Sequence, residues 1–223
     1  MKIIGDIRIY KSRIENIEGN SLPSYFETSK ILNAKIQRIV MALRENYFSF
    51  GDFDHLYINF TTCHVDNDIS LAKRKIDRYH PWYRYYDVHI SEDLYKKTDE
   101  SFIIPTIQKI IIENFSSNDF PKEKINKIIS DTLKKQSSYE MRYKEKVSSN
   151  RKAIIFLRYN DDCLFVPIVR IYDSDNKLIL EKELPERNNL DNLGALVLTK
   201  NKLTIKPKKN NCENLKDNCI IIT

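Results

Sequence analysis

The spacing of apolar and polar side chains predicts a mixture of strands and helices along 1–147. Period-two alternation predicts strands over Lys2–Tyr10, His55–Cys63 and Tyr83–Ile90. Apolar side chains at three-to-four-residue spacing predict helices over Glu27–Tyr47 and Pro121–Val147. The almost continuous apolar run over Phe102–Phe115 is too long for a typical strand and favours a helix, with a strand as the alternative because of its β-branched residues. The apolar stripe of the first helix consists of Ile31, Leu32, Ile36, Ile39, Val40 and Leu43. Glu27 is expected in the first turn, where an acidic side chain suits the helix dipole.

The pattern changes after Arg151 to short apolar runs separated by residues that favour turns. These runs predict strands over Ile154–Leu157, Leu164–Tyr172 and Lys177–Glu183, followed by a hairpin of Leu196–Leu198 and Leu203–Ile205. Connections rich in Asn and Asp, at 160–162 and 173–177, are typical of tight turns between antiparallel strands.

These elements predict an α/β (α+β) protein with an antiparallel-rich sheet and helices packed on one face. The 223 residues are enough to bury one sizeable core. We therefore expect a single α/β domain over 1–205, with a candidate sub-boundary near 148–151. A polar C-terminal tail is expected over 206–223.

Charge and apolar content limit the location and the partners that we expect. The formal net charge is +6 and the isoelectric point is about 9.0, which suits an anionic partner. The excess of lysine in a chain rich in Lys, Asn and Ile also fits AT-rich coding DNA. The acidic start and the lack of a long apolar run predict a cytoplasmic protein with reduced thiols and no membrane contact.

The sequence contains no motif that indicates an enzyme. It has no Cys/His metal pattern, no glycine-rich phosphate loop and no nucleophile signature. His64 lies beside Asp66 and Asp68, but a loop with local hydrogen bonds explains this group better than a metal site. We therefore expect no catalytic residues, no metal and no cofactor. The oligomeric state has no sequence signal.

The most informative segment is the aromatic and basic run over Arg78–His89, which includes the only Trp. It has three interpretations: packed core, a platform for RNA or single-stranded nucleic acid, or a protein-binding surface. Tyr and Trp give rigid contact area, and Arg supplies forked donors. The partner-binding residues predicted from this run are Arg78, Trp82, Tyr83, Arg84 and Tyr85.

Two segments, Gly51–Thr61 and Pro81–Val88, resemble small cytosolic immunity proteins of bacterial polymorphic-toxin systems. The resemblance implies an α/β protein that binds and blocks a cognate toxin and has no active site of its own. Many such inhibitors are acidic when the toxin is a basic nuclease, so the basic charge argues against a nuclease target. The alternative is a nucleic-acid-binding protein that uses the same basic aromatic surface.

Overall fold

The computed structural model describes residues 1–97, 100–148, 150–209 and 216–222. The chain divides into two compact units, Met1–Gln136 and Ser137–Thr223. The division falls before the sub-boundary expected near 148–151. The α+β class is confirmed, because helices in the first unit accompany three mostly antiparallel sheets. No helix among the described residues is both long and apolar enough to cross a membrane.

The first unit is a five-stranded sheet with four helices. Its elements are β1 (Asp6–Ser12), β2 (Ser24–Tyr25), α1 (Lys30–Glu45), β3 (His55–Thr61), β4 (Ile69–Leu71), β5 (Tyr83–His89), α2 (Glu92–Lys96), α3 (Ile103–Phe115) and α4 (Lys122–Lys135). The strand order is β2-β1-β3-β5-β4. The three central strands β1, β3 and β5 run parallel, and the short edge strands β2 and β4 are antiparallel to their neighbours.

One face of this sheet carries the hydrophobic core. Alternate residues of the three central strands, such as Ile9, Ile58 and Val88, pack in one cluster with α1, α3 and α4. The facing helical side chains include Leu43 and Ile110, both fully buried. Strand β3 is central and is buried on both faces. The opposite face of β1, β3 and β5 contributes nothing to this cluster and carries tyrosines and polar side chains.

Helix α1 begins later than its sequence predicts. Ser29 is the N-cap, because its hydroxyl accepts a hydrogen bond from the Leu32 amide at 3.2 Å. The expected placement of Glu27 in the first turn was therefore wrong. Ile31 is 56% exposed, so the apolar stripe starts at Leu32 instead.

The predicted helix over Pro121–Val147 is correct only in its first part. Helix α4 ends at Lys135, and Gln136 adopts a left-handed φ of 49°. Met141–Val147 instead forms a strand that pairs with Lys152–Leu157. Beyond Leu133 the apolar stripe thins, and Tyr139, Met141 and Tyr143 alternate with polar residues, so cross-strand pairing outweighs the helix propensity of the Lys and Glu residues.

The second unit contains two antiparallel sheets. Its strands are β6 (Met141–Val147), β7 (Arg151–Tyr159), β8 (Phe165–Asp173), β9 (Leu178–Glu183), β10 (Leu196–Leu198), β11 (Lys202–Ile205) and β12 (Asn218–Ile221). Strands β6 to β9 form a meander, and β10 to β12 form a three-stranded sheet. The predicted strands after Arg151 are confirmed. Asp173 Oδ1 closes the turn into β9 by accepting the amides of Asp175 and Lys177, both at 2.9 Å.

Candidate protein-binding surface

The loop that joins β4 to β5, residues 72–82, projects an unusual set of side chains into solvent. We call it the aromatic loop. Tyr79 is 86% exposed, Ile76 is 53% exposed and Trp82 is 37% exposed. Arg78 is also exposed and forms no ion pair with any described residue. Large apolar and aromatic groups in a short exposed loop are typical of contact surfaces.

Internal hydrogen bonds hold the tip of the aromatic loop in one shape. Asp77 Oδ1 accepts the Tyr79 amide at 2.8 Å, and Asp77 Oδ2 lies 2.7 Å from His80 Nδ1. The hydrogen bond with His80 lowers the pKa of the Asp77 carboxyl. The His80 ring meets the Trp82 ring edge-on, with centroids 4.8 Å apart. A loop that is ordered before binding loses less entropy when a partner docks.

The base of the aromatic loop is fixed by backbone and by Arg84. The Trp82 carbonyl accepts the amides of Asp54 and His55, each at 3.0 Å. The Arg84 guanidinium donates to the carbonyls of Pro81 (3.0 Å) and Tyr83 (2.7 Å). It also pairs with Asp52 Oδ2 at 2.7 Å, although its own side chain is only 11% exposed. Arg84 therefore holds the end of the aromatic loop in place through its hydrogen bonds to Pro81, Tyr83 and Asp52.

The five residues predicted as partner-binding separate into surface and support. Arg78 and Trp82 lie at the surface, and Tyr83 is half-buried. Arg84 and Tyr85 lie largely beneath it, and Tyr85 is 7% exposed. Trp82 is not part of the core cluster, whereas Tyr86, four residues later, is.

Five tyrosines pack against one another on the sheet face opposite the helices. This tyrosine cluster consists of Tyr10, Tyr25, Tyr57, Tyr83 and Tyr85. Tyr57 and Tyr83 are stacked with centroids 4.6 Å apart, and Tyr10 meets Tyr85 edge-on at 5.3 Å. The Arg8 guanidinium carbon lies 5.6 Å from the centre of the Tyr57 ring. The aromatic run indicates Tyr83 and Tyr85. It does not indicate Tyr10, Tyr25 and Tyr57, which lie in distant segments and join the cluster only through strand pairing.

The tyrosine cluster makes stability sensitive to high pH. Burial raises the pKa of the Tyr57 hydroxyl to about 12, against the opposing charge of Arg8, and also raises the pKa of Tyr85. Tyr57 is expected to titrate near pH 10 when unfolded, so the unfolded chain releases its proton first. The stabilisation is present below pH 10 and should be lost as pH rises to about 12. Absorbance at 295 nm of native and urea-unfolded protein at pH 11 should differ, and the difference should shrink in Tyr57→Phe. Equal absorbance of both forms would contradict this expectation.

A polar network lies beside the tyrosine cluster, near the carboxyl ends of the parallel strands. Asp87, which is 9% exposed, accepts hydrogen bonds from Asn16 Nδ2 at 3.0 Å and Asn59 Nδ2 at 2.8 Å. Arg74 of the aromatic loop donates from Nε to Asn16 Oδ1 at 2.8 Å. The aromatic loop is thereby tied to the segment that follows β1. Ligands of parallel α/β sheets commonly bind at this edge.

Carboxylates accompany the lysines of the aromatic loop. Lys75 pairs with Glu18 at 2.8 Å and Lys73 with Asp66 at 3.3 Å. The surface therefore combines aromatic rings with charges of both signs, rather than forming a uniformly basic stripe. Among the described residues, no group of three His, Cys, Asp or Glu side chains could hold a metal ion.

Comparison with models of protein families, with curated proteins and with solved structures found no match to the chain. The geometry of the described residues is therefore the basis for an argument about function. It contains a rigid, exposed aromatic loop and, beside it, a buried carboxylate network.

Proposed function

We propose that this protein is a binding inhibitor that neutralises a cognate bacterial toxin by direct contact, as immunity proteins do. The observation that carries the proposal is the aromatic loop, in which Tyr79 and Trp82 are exposed on a backbone that is already ordered. Exposed aromatic residues and Arg dominate the energetics of protein interfaces. The resemblance of Gly51–Thr61 and Pro81–Val88 to immunity proteins falls on β3 and on most of β5, the strand into which the aromatic loop leads.

The charge arrangement favours a protein partner over nucleic acid. Nucleic-acid surfaces gather unpaired cations along one face, because affinity depends on neutralising many phosphates. Here Lys73 and Lys75 each face a carboxylate. A surface of paired charges and aromatic rings matches the mixed polarity of protein interfaces.

Co-expression with the toxin-like product of an adjacent gene tests the proposal. We expect the chain to restore growth of cells that express that product and to form a stoichiometric complex with it on size-exclusion chromatography. The complex should persist at 0.5 M salt, whereas binding driven by phosphate contacts should weaken steeply with salt. Growth arrest that continues in the presence of the chain, with no complex formed, would contradict the proposal.

A further inference from the structure

A small pocket opens at the carboxyl ends of the parallel strands, next to the aromatic loop. It measures about 70 Å³, and its walls include Glu15, Thr61, Asp66, Ser70, Lys73 and Asp87. Ser70 of β4 lies opposite Asp87 of β5 in the strand register. The volume is about that of two water molecules, so it suits the end group of a side chain better than a whole metabolite.

Asp87 is a buried carboxylate that forms no ion pair with any described residue. Both of its hydrogen bonds, from Asn16 and Asn59, reach Oδ1. Its second oxygen, Oδ2, accepts no hydrogen bond from any residue in the described ranges. Arg74, which lies nearby, donates from Nε to Asn16 and from Nη2 to the carbonyls of Asn20 and Ser21, and none of these hydrogen bonds reaches Asp87.

Other acceptors lie in or beside the pocket. Asn59 Oδ1 does not line the pocket but belongs to the same network, is buried and has no hydrogen-bond partner among the described residues. Glu15 lies on the pocket wall, and its carboxylate forms no ion pair within the described part of the chain. Lys73 on the same wall already faces Asp66 at 3.3 Å. Burial raises the pKa of the Asp87 carboxyl, with its two amide donors acting in the opposite direction. His64, also on this wall, lies 3.8 Å from the same Asp66 carboxylate, so neither basic side chain of the wall is paired with Asp87, whose Oδ2 remains the acceptor open to a donor.

We propose that this pocket receives the ammonium or guanidinium end of a basic side chain from the partner protein. This inference rests on the proposed function and specifies the chemistry of the partner. The pocket shares Leu71, which is 53% exposed, with the surface next to Tyr83 and the aromatic loop, so one partner can cover both. A cation at Asp87 Oδ2 would gain a charge-assisted hydrogen bond in a partly desolvated site, where such bonds are strongest.

Capped amino acids test the pocket without the toxin. N-acetyl-arginine methylamide and N-acetyl-lysine methylamide would be titrated into the full chain, with N-acetyl-glycine methylamide as the control. The side-chain amide NMR signals of Asn16 and Asn59 report directly on Asp87. We expect saturable shifts with at least one basic probe, none with the glycine probe, and at least a tenfold weaker affinity in Asp87→Asn. Shifts that do not saturate, or that are equal in Asp87→Asn, would overturn the inference.

A second variant keeps the test decisive if Asp87→Asn does not fold. Ser70→Lys places a cation at the half-buried pocket wall from within the chain and should abolish probe binding. Unchanged probe affinity in Ser70→Lys would overturn the inference. If the toxin binds the wild type and Asp87→Asn with the same affinity, the inference about the pocket is overturned and the proposed function is not. If the probes bind through Asp87 but no toxin complex forms, the proposed function is contradicted and the cation pocket is supported.

Discussion

Replacing Trp82 with alanine is expected to weaken binding of the proposed protein partner by about 2–4 kcal/mol, the range of an interface hot spot. The indole ring is 37% exposed and lies at the base of an ordered loop, so a partner can bury the rest of it. The free energy of unfolding should fall by only about 1–2 kcal/mol, less than the ~3–5 kcal/mol typical of a fully buried aromatic ring. Titration calorimetry and urea unfolding of the same preparation separate the two effects.

The matched control for Trp82→Ala is Tyr79→Ala, in the same loop but 86% exposed. This variant should keep its unfolding free energy within about 0.5 kcal/mol of the wild type, because little of the ring packs against the protein. It should still lose affinity if the aromatic loop is the interface. A Trp82→Ala protein that loses 3 kcal/mol of stability and binds normally would mean that the ring is a packing residue only.

The second large effect is expected for Arg84→Glu, which should cost about 3–5 kcal/mol of folding stability. The Arg84 side chain is 11% exposed, and its guanidinium donates hydrogen bonds to Asp52 and to the carbonyls of Pro81 and Tyr83. A glutamate there would place a second carboxylate near Asp52 and would leave the carbonyls of Pro81 and Tyr83 without this donor. The sequence predicts Arg84 as a partner-binding residue, and a residue with that role alone would tolerate this change, whereas its hydrogen bonds predict a loss of stability.

Arg78→Glu provides the control for Arg84→Glu, because it makes the same charge change at an exposed site of the aromatic loop, six residues before Arg84 on β5. Its unfolding free energy should match the wild type to within about 0.5 kcal/mol. Trp82 is the only tryptophan, so its emission reports on the base of the loop in both variants. We expect a red shift in Arg84→Glu and none in Arg78→Glu. Equal denaturation midpoints for the two variants would show that Arg84 does not hold the loop.

Much of the fold follows from side-chain periodicity. Alternation predicts β3, β5, β7 and β8. The apolar stripe over Ile31–Leu43 predicts α1 and the long apolar run over Phe102–Phe115 predicts α3, with small errors at their ends. The end of α4 and the strand Met141–Val147 could not be predicted in this way. This segment has little apolar periodicity, and its structure depends on pairing with β7. The parallel order of β1, β3 and β5 depends in the same way on contacts between distant segments.

The candidate surface could be predicted only in part for a similar reason. Composition identifies the aromatic run, but it cannot separate exposed Trp82 from buried Tyr85, three residues later. That difference arises because Tyr85 lies on β5 among neighbours from β1 and β3. No sequence motif marks Asp87 as a binding residue. Its role follows from the strand register, which brings Asn59 beside it and leaves one carboxylate oxygen without a partner among the described residues.

The hydrogen bonds of Asp87 also have a kinetic consequence. They join residues 28 and 71 positions apart in the chain, and Asn59 reaches Ser12 across 47 positions. Contacts of such separation form only after the three parallel strands have come together, since each requires a long loop to close. We therefore expect the network to form late in folding. Its loss should leave the folding rate almost unchanged and accelerate unfolding, which shortens the lifetime of the native state.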